Sequence, residues 1–114
     1  MAKKTKKKNT FSLYELEKRV AERAKARAKD SYTRALLDKG IVHCAKKLGE
    51  EGLEASLAAV GESKKRLTAE TADLLYHLMV VLKARGIAFK DVEAALAKRT
   101  AQSGHAEKAS RRKR

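Results

Sequence analysis

The sequence predicts an all-α fold, a helical bundle, on three observations. The 114 residues contain no proline, and most of the six glycines separate apolar segments rather than interrupt them. Apolar side chains recur at spacings of three and four residues, which is the spacing of one face of a helix. No segment alternates polar and apolar residues for long enough to predict a strand. A chain of this length fits one domain with a modest core, so a helical dimer would bury further apolar surface.

The first helix is predicted over residues 11–29, where Ser12 and Glu15 fit a capping box at the start. Residues 30–33 then form a break with good capping side chains. A short helix over residues 34–39 should follow and end at Gly40, because glycine readily takes the left-handed conformation found at helix ends. The inward face of the first helix is predicted to carry Leu13, Leu16, Val20 and Ala24.

A second long helix is predicted over residues 41–60 and ends at Gly61. Small side chains on its inward stripe would let a partner helix approach closely. A close backbone contact would explain Gly52, which costs about 0.5–1 kcal/mol relative to alanine inside a helix. The predicted stripe consists of Ile41, Ala45, Leu48, Gly52, Ala55 and Ala59.

A third helix is predicted over residues 64–85 and stops at Gly86. Its apolar run over residues 74–82 covers more than two turns and leaves little surface for water, so other helices or a second subunit must cover it. A last helix is predicted over residues 90–99. Its inward side chains are Val92, Ala95 and Leu96.

The formal net charge of +14 is unevenly distributed, with +5 in the first ten residues and +4 in the last ten. Basic runs at chain ends are usually solvated tails. We therefore predict disordered basic tails at residues 1–10 and 101–114 and one domain at residues 11–100. A basic helical nucleic-acid-binding protein is an alternative, but only the tails support it.

Cys44 is the only cysteine, which excludes an intramolecular disulfide and a thiolate metal cage within one chain. Helical packing is the predicted role of this thiol. No segment reaches the roughly 18 apolar residues of a membrane span, and no apolar signal segment follows the basic start. These features predict a cytoplasmic protein without a membrane partner.

Two acidic clusters carry the strongest chemical signal. Helical spacing brings Glu50 and Glu51 close to Glu54 on the second long helix, and Glu70 close to Asp73 on the third. If the two helices form an antiparallel hairpin, a rise of about 1.5 Å per residue sets Glu54 level with Glu70 and Glu51 level with Asp73. Such a group repels itself without cations, and its oxygen donors suit Mg²⁺ or Mn²⁺. Any single one of these acids could instead be a solvated residue paired with a lysine.

Three segments carry a resemblance to a known family. They are Ser31-Tyr32-Thr33 followed by Leu36, Leu37 and Gly40; Lys46-Lys47-Leu48-Gly49-Glu50-Glu51-x-x-Glu54; and Glu70-x-x-Asp73-Leu74-Leu75-Tyr76-His77. In order and spacing they resemble the phosphoribosyl-ATP pyrophosphohydrolase family, within the all-alpha nucleotide pyrophosphatase superfamily. The likeness covers about residues 13–99. Gly52, where the family more often has a small apolar residue, and the basic tails depart from the family pattern.

The resemblance implies hydrolysis of phosphoribosyl-ATP to phosphoribosyl-AMP and pyrophosphate by a Mg²⁺-activated water, the second step of histidine biosynthesis. It also implies a cytoplasmic homodimer in which the helices of two chains complete a four-helix bundle. The chain would be the stand-alone form, without the cyclohydrolase to which this enzyme is often fused. A house-cleaning pyrophosphatase for noncanonical triphosphates is the alternative within the same superfamily.

We assign hypothetical roles to the acidic residues and their neighbours. Glu51, Glu54, Glu70 and Asp73 are expected to bind Mg²⁺, and Glu50 either joins them or orients the attacking water, which makes Glu50 and Glu51 the catalytic candidates. Lys46 and Lys47 could meet a substrate phosphate, although Lys47 could instead pair with Glu51. Tyr32 and Thr33 either contact the substrate or cap the next helix, with capping favoured for Thr33. His77 is either a second-shell partner of the Asp73 carboxylate or a core histidine.

Overall fold

The structure is a computed structural model that describes residues 10–101 and Arg111, and every regular element in those residues is helical. Most of the two predicted tails lies outside the described residues. No helix in the described part of the chain combines the length and apolar character needed to cross a membrane. The five α-helices are α1 (Leu13–Arg23), α2 (Tyr32–Asp38), α3 (Ile41–Gly61), α4 (Lys64–Arg85) and α5 (Phe89–Thr100), with a 3-10 turn at Ala28–Asp30.

Helix α1 begins where the sequence predicts but ends six residues early. The Ser12 hydroxyl accepts a hydrogen bond from the Glu15 backbone N–H at 3.4 Å, which caps the first turn. At the other end, the Ser31 hydroxyl donates to the Arg23 carbonyl at 2.9 Å, and Arg34 donates to the Ala26 carbonyl at 3.1 Å. Because the start of α2 bonds these carbonyls, the chain folds back after Arg23 instead of continuing as a helix.

Helix α2 begins two residues earlier than predicted because Ser31, not Thr33, is its N-cap. The Ser31 hydroxyl accepts a hydrogen bond from the Arg34 backbone N–H at 3.1 Å. The favoured capping role of Thr33 is therefore wrong: Thr33 lies inside the first turn and is almost fully buried. The predicted end is confirmed, since Gly40 has φ +93°, a conformation that glycine adopts without strain.

Helices α3 and α4 form the predicted antiparallel hairpin and make the most extensive helix–helix contact in the described chain. Only Glu62 and Ser63 connect them, and Ser63 caps α4 by accepting from the Arg66 backbone N–H at 3.1 Å. The bounds of α4 agree with the prediction at both ends. Gly86 ends the helix with φ +70°, so its lack of a Cβ is needed there.

A small apolar core joins all five helices at the end of the hairpin away from its turn. Cys44 packs inside it, and its thiol donates to the Leu36 carbonyl at 3.3 Å. Burial raises the pKa of this thiol, as expected for a packing cysteine rather than a nucleophile. The buried members are Val20, Leu36, Cys44, Met79, Val80 and Phe89.

The predicted inward stripe of α3 is only partly correct. Ile41, Ala45 and Ala59 are exposed, whereas Cys44 and Ala58 are the buried apolar residues of this helix. A Cβ added to Gly52 would lie 3.7 Å from the Leu74 side chain, which is ordinary van der Waals contact. The close backbone approach expected at Gly52 is therefore absent. Because α3 carries apolar side chains on more than one face, periodicity alone could not select the face that meets α4.

Two hydrogen bonds to glutamate carboxylates hold helix α5 against α1. The Glu17 carboxylate accepts a hydrogen bond from the Phe89 backbone N–H at 2.8 Å, and the Tyr14 hydroxyl donates to Glu93. The Tyr14 ring also meets the Phe89 ring edge-on, with centroids 5.2 Å apart. Ala88, the N-cap residue, has no polar side chain, so Glu17 caps α5 from a distant part of the sequence.

Replacing Glu17 with alanine should remove this cap and lower the free energy of unfolding by about 1 kcal/mol. Urea denaturation would measure the loss, and amide exchange should show faster opening of α5 than of the α3–α4 hairpin. Glu22→Ala, at an exposed acid on the same helix, is the matched control. Equal stability of the two variants would contradict the capping role.

Candidate metal and substrate site

Three carboxylates from the hairpin converge in one cluster. Glu51 on α3 and Glu70 and Asp73 on α4 each offer an oxygen atom, and these atoms lie within 4.8 Å of one another. Glu70 is buried, Glu51 is half-buried and Asp73 is exposed. The hairpin therefore brings together three of the five predicted metal ligands, with Glu51 close to Asp73 as the sequence predicts.

Glu70 has the most unusual environment of the three. Only 6% of the residue is exposed, and its Oε2 accepts a hydrogen bond from Arg66 Nη2 at 2.7 Å. Its Oε1 is buried without a hydrogen-bond partner among the described residues. Burial raises the pKa of this carboxyl, the neighbouring Glu54 raises it further, and Arg66 opposes both. A buried carboxylate oxygen without a partner is costly, and a cation held with Glu51 and Asp73 would satisfy it.

The other two predicted ligands lie at the edge of the cluster. Glu54 is exposed but close enough to Glu70 to raise the pKa of the Glu70 carboxyl, as expected if the two residues lie level on the hairpin. Glu50 lies outside the three-carboxylate group and forms an ion pair with Lys47, with Nζ and Oε1 3.1 Å apart. This pair lowers the pKa of Glu50 and raises that of Lys47. The geometry thus favours a peripheral position for Glu50 over direct metal ligation.

The two lysines proposed for substrate phosphate lie on the Glu50 side of α3. Lys47 pairs with Glu50 at a spacing of three residues, not with Glu51 at four. Lys46 is exposed, and its charge helps to lower the pKa of Glu50. Lys47 and Lys46 lie four and five residues before Glu51 on the same helix.

Tyr32 and Thr33 occupy very different environments. The Tyr32 side chain is 57% exposed, and its ring stacks on Tyr76 with centroids 6.3 Å apart and planes 21° apart. Thr33 is 1% exposed, and its hydroxyl shares a 2.5 Å hydrogen bond with the Tyr76 hydroxyl. Burial raises the pKa of Tyr76, while the Thr33 hydroxyl opposes this. Thr33 therefore positions Tyr76, whereas Tyr32 is open to a ligand.

His77 is a buried residue, which is one of the two positions that the sequence left open for it. Its Nδ1 lies 2.9 Å from the backbone carbonyl oxygen of Asp73, so the predicted partnership with the Asp73 carboxylate is not the contact observed. The reason is the four-residue spacing along α4, which directs the ring to the carbonyl one turn back. The ring is buried, and its Nε2 has no hydrogen-bond partner among the described residues.

Arg66 and Tyr76 contribute to the site but carry no role in the sequence-based assignment. Arg66 lies four residues after Glu62 and four before Glu70, and it pairs with both. That spacing favours ion pairs on a helix and could have identified Arg66. The contact of Tyr76 with Thr33 joins residues 43 positions apart, and no local pattern signals it.

Comparison with known proteins shows the family to which the chain belongs. The family model for phosphoribosyl-ATP pyrophosphohydrolase matches residues 13–100. The chain is 60% identical to the phosphoribosyl-ATP pyrophosphatase of Azorhizobium caulinodans over 102 residues, covering 90% of this chain and 94% of the relative. It is 56% identical to phosphoribosyl-ATP pyrophosphatase 1 of Bradyrhizobium diazoefficiens, over 90% of this chain and 96% of the relative. With the phosphoribosyl-ATP pyrophosphatase of Rhizobium meliloti it shares 52% identity, over 89% of this chain and 94% of the relative. The chain therefore belongs to the phosphoribosyl-ATP pyrophosphohydrolase family.

Proposed function

We propose that this chain hydrolyses phosphoribosyl-ATP to phosphoribosyl-AMP and pyrophosphate, the second step of histidine biosynthesis, in the cytoplasm. Family membership supports the substrate, because relatives at 60% and 56% identity are named phosphoribosyl-ATP pyrophosphatase. The structural observation that carries the proposal is the convergence of Glu51, Glu70 and Asp73. One buried Glu70 oxygen there has no hydrogen-bond partner in the described part of the chain. Such a group suits chemistry on a polyphosphate.

Glu51, Glu70 and Asp73 would hold Mg²⁺ or Mn²⁺, with Glu54 at the rim. A divalent cation there would neutralise phosphate charge and lower the pKa of the attacking water. Arg66 holds one oxygen of Glu70, and the other has no hydrogen-bond partner among the described residues. Glu50, at the edge of the cluster, would orient the water, and Lys47, together with Lys46, would attract the phosphates to this end of α3.

We further propose that two chains associate and complete a four-helix bundle from two α3–α4 hairpins. The outward surface of α3 exposes large apolar side chains that a monomer leaves in water. The exposed fractions are 81% for Val42, 61% for Leu53, 58% for Leu57 and 89% for Val60. Covering them with a second copy would supply the apolar burial that a chain of this size lacks.

Purified protein should release pyrophosphate from phosphoribosyl-ATP in the presence of Mg²⁺ and stop when EDTA removes the metal. A panel of free nucleoside triphosphates, including noncanonical ones, should be turned over at least about 100-fold more slowly in kcat/KM. A preference for the free triphosphates would instead indicate a house-cleaning enzyme.

Deleting residues 1–9 and 105–114 should leave hydrolysis intact. If the deletion removes the only detectable activity, and salt-sensitive binding to duplexes is lost in parallel, the result would favour a nucleic-acid-binding protein.

Asp73→Ala should reduce kcat by at least about 100-fold because it removes one of three converging ligands. Its helical circular dichroism should be unchanged, since Asp73 is exposed. Mn²⁺ should raise the melting temperature of the parent protein but not that of the variant. Asp91→Ala, at an exposed aspartate on α5, is the control and should match the parent in both measurements. If Asp73→Ala keeps most of its activity, the metal assignment is wrong.

Leu57→Asp should shift the chain from dimer to monomer, because it introduces a charge into the apolar surface proposed as the interface. Light scattering coupled to size exclusion would measure the mass as a function of concentration. Leu96→Asp, at a comparably exposed leucine of α5 (53%), should remain dimeric. A monomeric parent protein, or a dimeric Leu57→Asp variant, would contradict this interface.

A further inference from the structure

A cleft adjoins the carboxylate cluster, between the start of α2 and the middle of α4. Its volume is about 520 Å³, within the usual size range of small-molecule sites. Tyr32 and Thr33 line it from α2, and Asp73, Tyr76 and His77 line it from α4. Asp73 belongs to both the cluster and the cleft. A ligand with phosphates at the cluster could therefore extend past Asp73 into the cleft.

Aromatic rings make this cleft suitable for a planar group. Of the three rings of Tyr32, Tyr76 and His77, that of Tyr32 is the one largely open to solvent. The Tyr76 ring stacks against it. Tyr76 is itself held by the Thr33 hydroxyl, so the support is fixed in place. Base–aromatic stacking needs an exposed ring on a supported surface, and Tyr32 provides one.

His77 lines the cleft and carries a buried hydrogen-bond acceptor. A carbonyl oxygen can only accept, so the Nδ1 beside the Asp73 carbonyl carries the hydrogen, and the Nε2 of the neutral ring is an acceptor. This Nε2 is buried, has no hydrogen-bond partner among the described residues, and belongs to a side chain more than nine-tenths buried. The Tyr32 ring stands edge-on to His77 with centroids 6.2 Å apart. Because this nitrogen is buried, a donor from a ligand reaches it when the side chains around it move.

We infer that this cleft binds the nucleoside part of the substrate, with its base stacked on Tyr32 and a hydroxyl or amino group donating to His77 Nε2. The inference rests on the proposed function and adds the position of the nucleoside to it. The phosphates then lie at the carboxylate cluster and the base lies on the other side of Asp73. Tyr32 and His77 act in binding and not in bond cleavage.

Tyr32→Ala should raise the KM for phosphoribosyl-ATP about tenfold and leave kcat within about threefold, because it removes an interaction that is equal in the ground and transition states. Tyr32→Phe keeps the ring and should stay within about threefold of the parent KM. Phe11→Ala removes an aromatic side chain of similar exposure (52%) outside the cleft and should change nothing.

Calorimetry separates the two halves of the ligand. AMP should bind Tyr32→Ala and His77→Phe about tenfold more weakly than the parent, whereas inorganic pyrophosphate with Mn²⁺ should bind all three equally. His77→Phe keeps a ring of similar size and removes the acceptor; if it does not fold, the two Tyr32 variants decide the matter.

Two results would overturn the inference. One is an unchanged KM and AMP affinity in Tyr32→Ala. The other is an equal loss of AMP and pyrophosphate affinity, which would show a general structural effect. Failure of the proposed function would look different, because the parent protein itself would then release no pyrophosphate from phosphoribosyl-ATP.

Discussion

The buried carboxylate of Glu70 is the constraint around which the α3–α4 hairpin is organised. Removing a carboxylate from water is unfavourable unless its oxygens are bonded, and the carboxylates of Glu51 and Asp73 nearby increase the repulsion. Arg66 compensates one oxygen of Glu70 and leaves the second without a partner among the described residues. The hairpin thus retains an arrangement that is costly in the absence of a cation and favourable in its presence, as expected for a site selected for binding rather than stability.

The shorter helices place other groups around this hairpin. Ser31 bonds both the end of α1 and the start of α2, which turns the chain so that Thr33 reaches Tyr76. That contact leaves the neighbouring Tyr32 on the outside, beside His77. The Thr33 hydroxyl thus holds the half-buried Tyr76, while Tyr32 stays exposed and open to a ligand. A side chain also holds the start of α5, because the Glu17 carboxylate on α1 accepts a hydrogen bond from the Phe89 backbone N–H.

Helix α3 carries both Glu51 of the acidic cluster and the exposed apolar surface. Glu51 faces α4, whereas Leu53 and Leu57 point to solvent within two turns of it. If a second chain covers that surface, it would restrain the helix that carries the site and limit how far the carboxylates can separate. The exposed apolar surface and the acidic cluster are then parts of one assembly, in which dimer formation supports the geometry of the site.

The sequence by itself determined the class of fold, the hairpin and the facing carboxylates. Spacings of three and four residues, the caps and Gly86 are local properties, so they set the bounds of α4 and align Glu51 with Asp73. The Ser31 cap, the His77–Asp73 contact and the Lys47–Glu50 pair are also local, and the sequence offers each of them among other pairings at the same spacings. Only the tertiary structure decided the early end of α1, the buried face of α3 and the Thr33–Tyr76 contact. These features depend on how each helix packs against its neighbours, and local spacing contains no information about that packing.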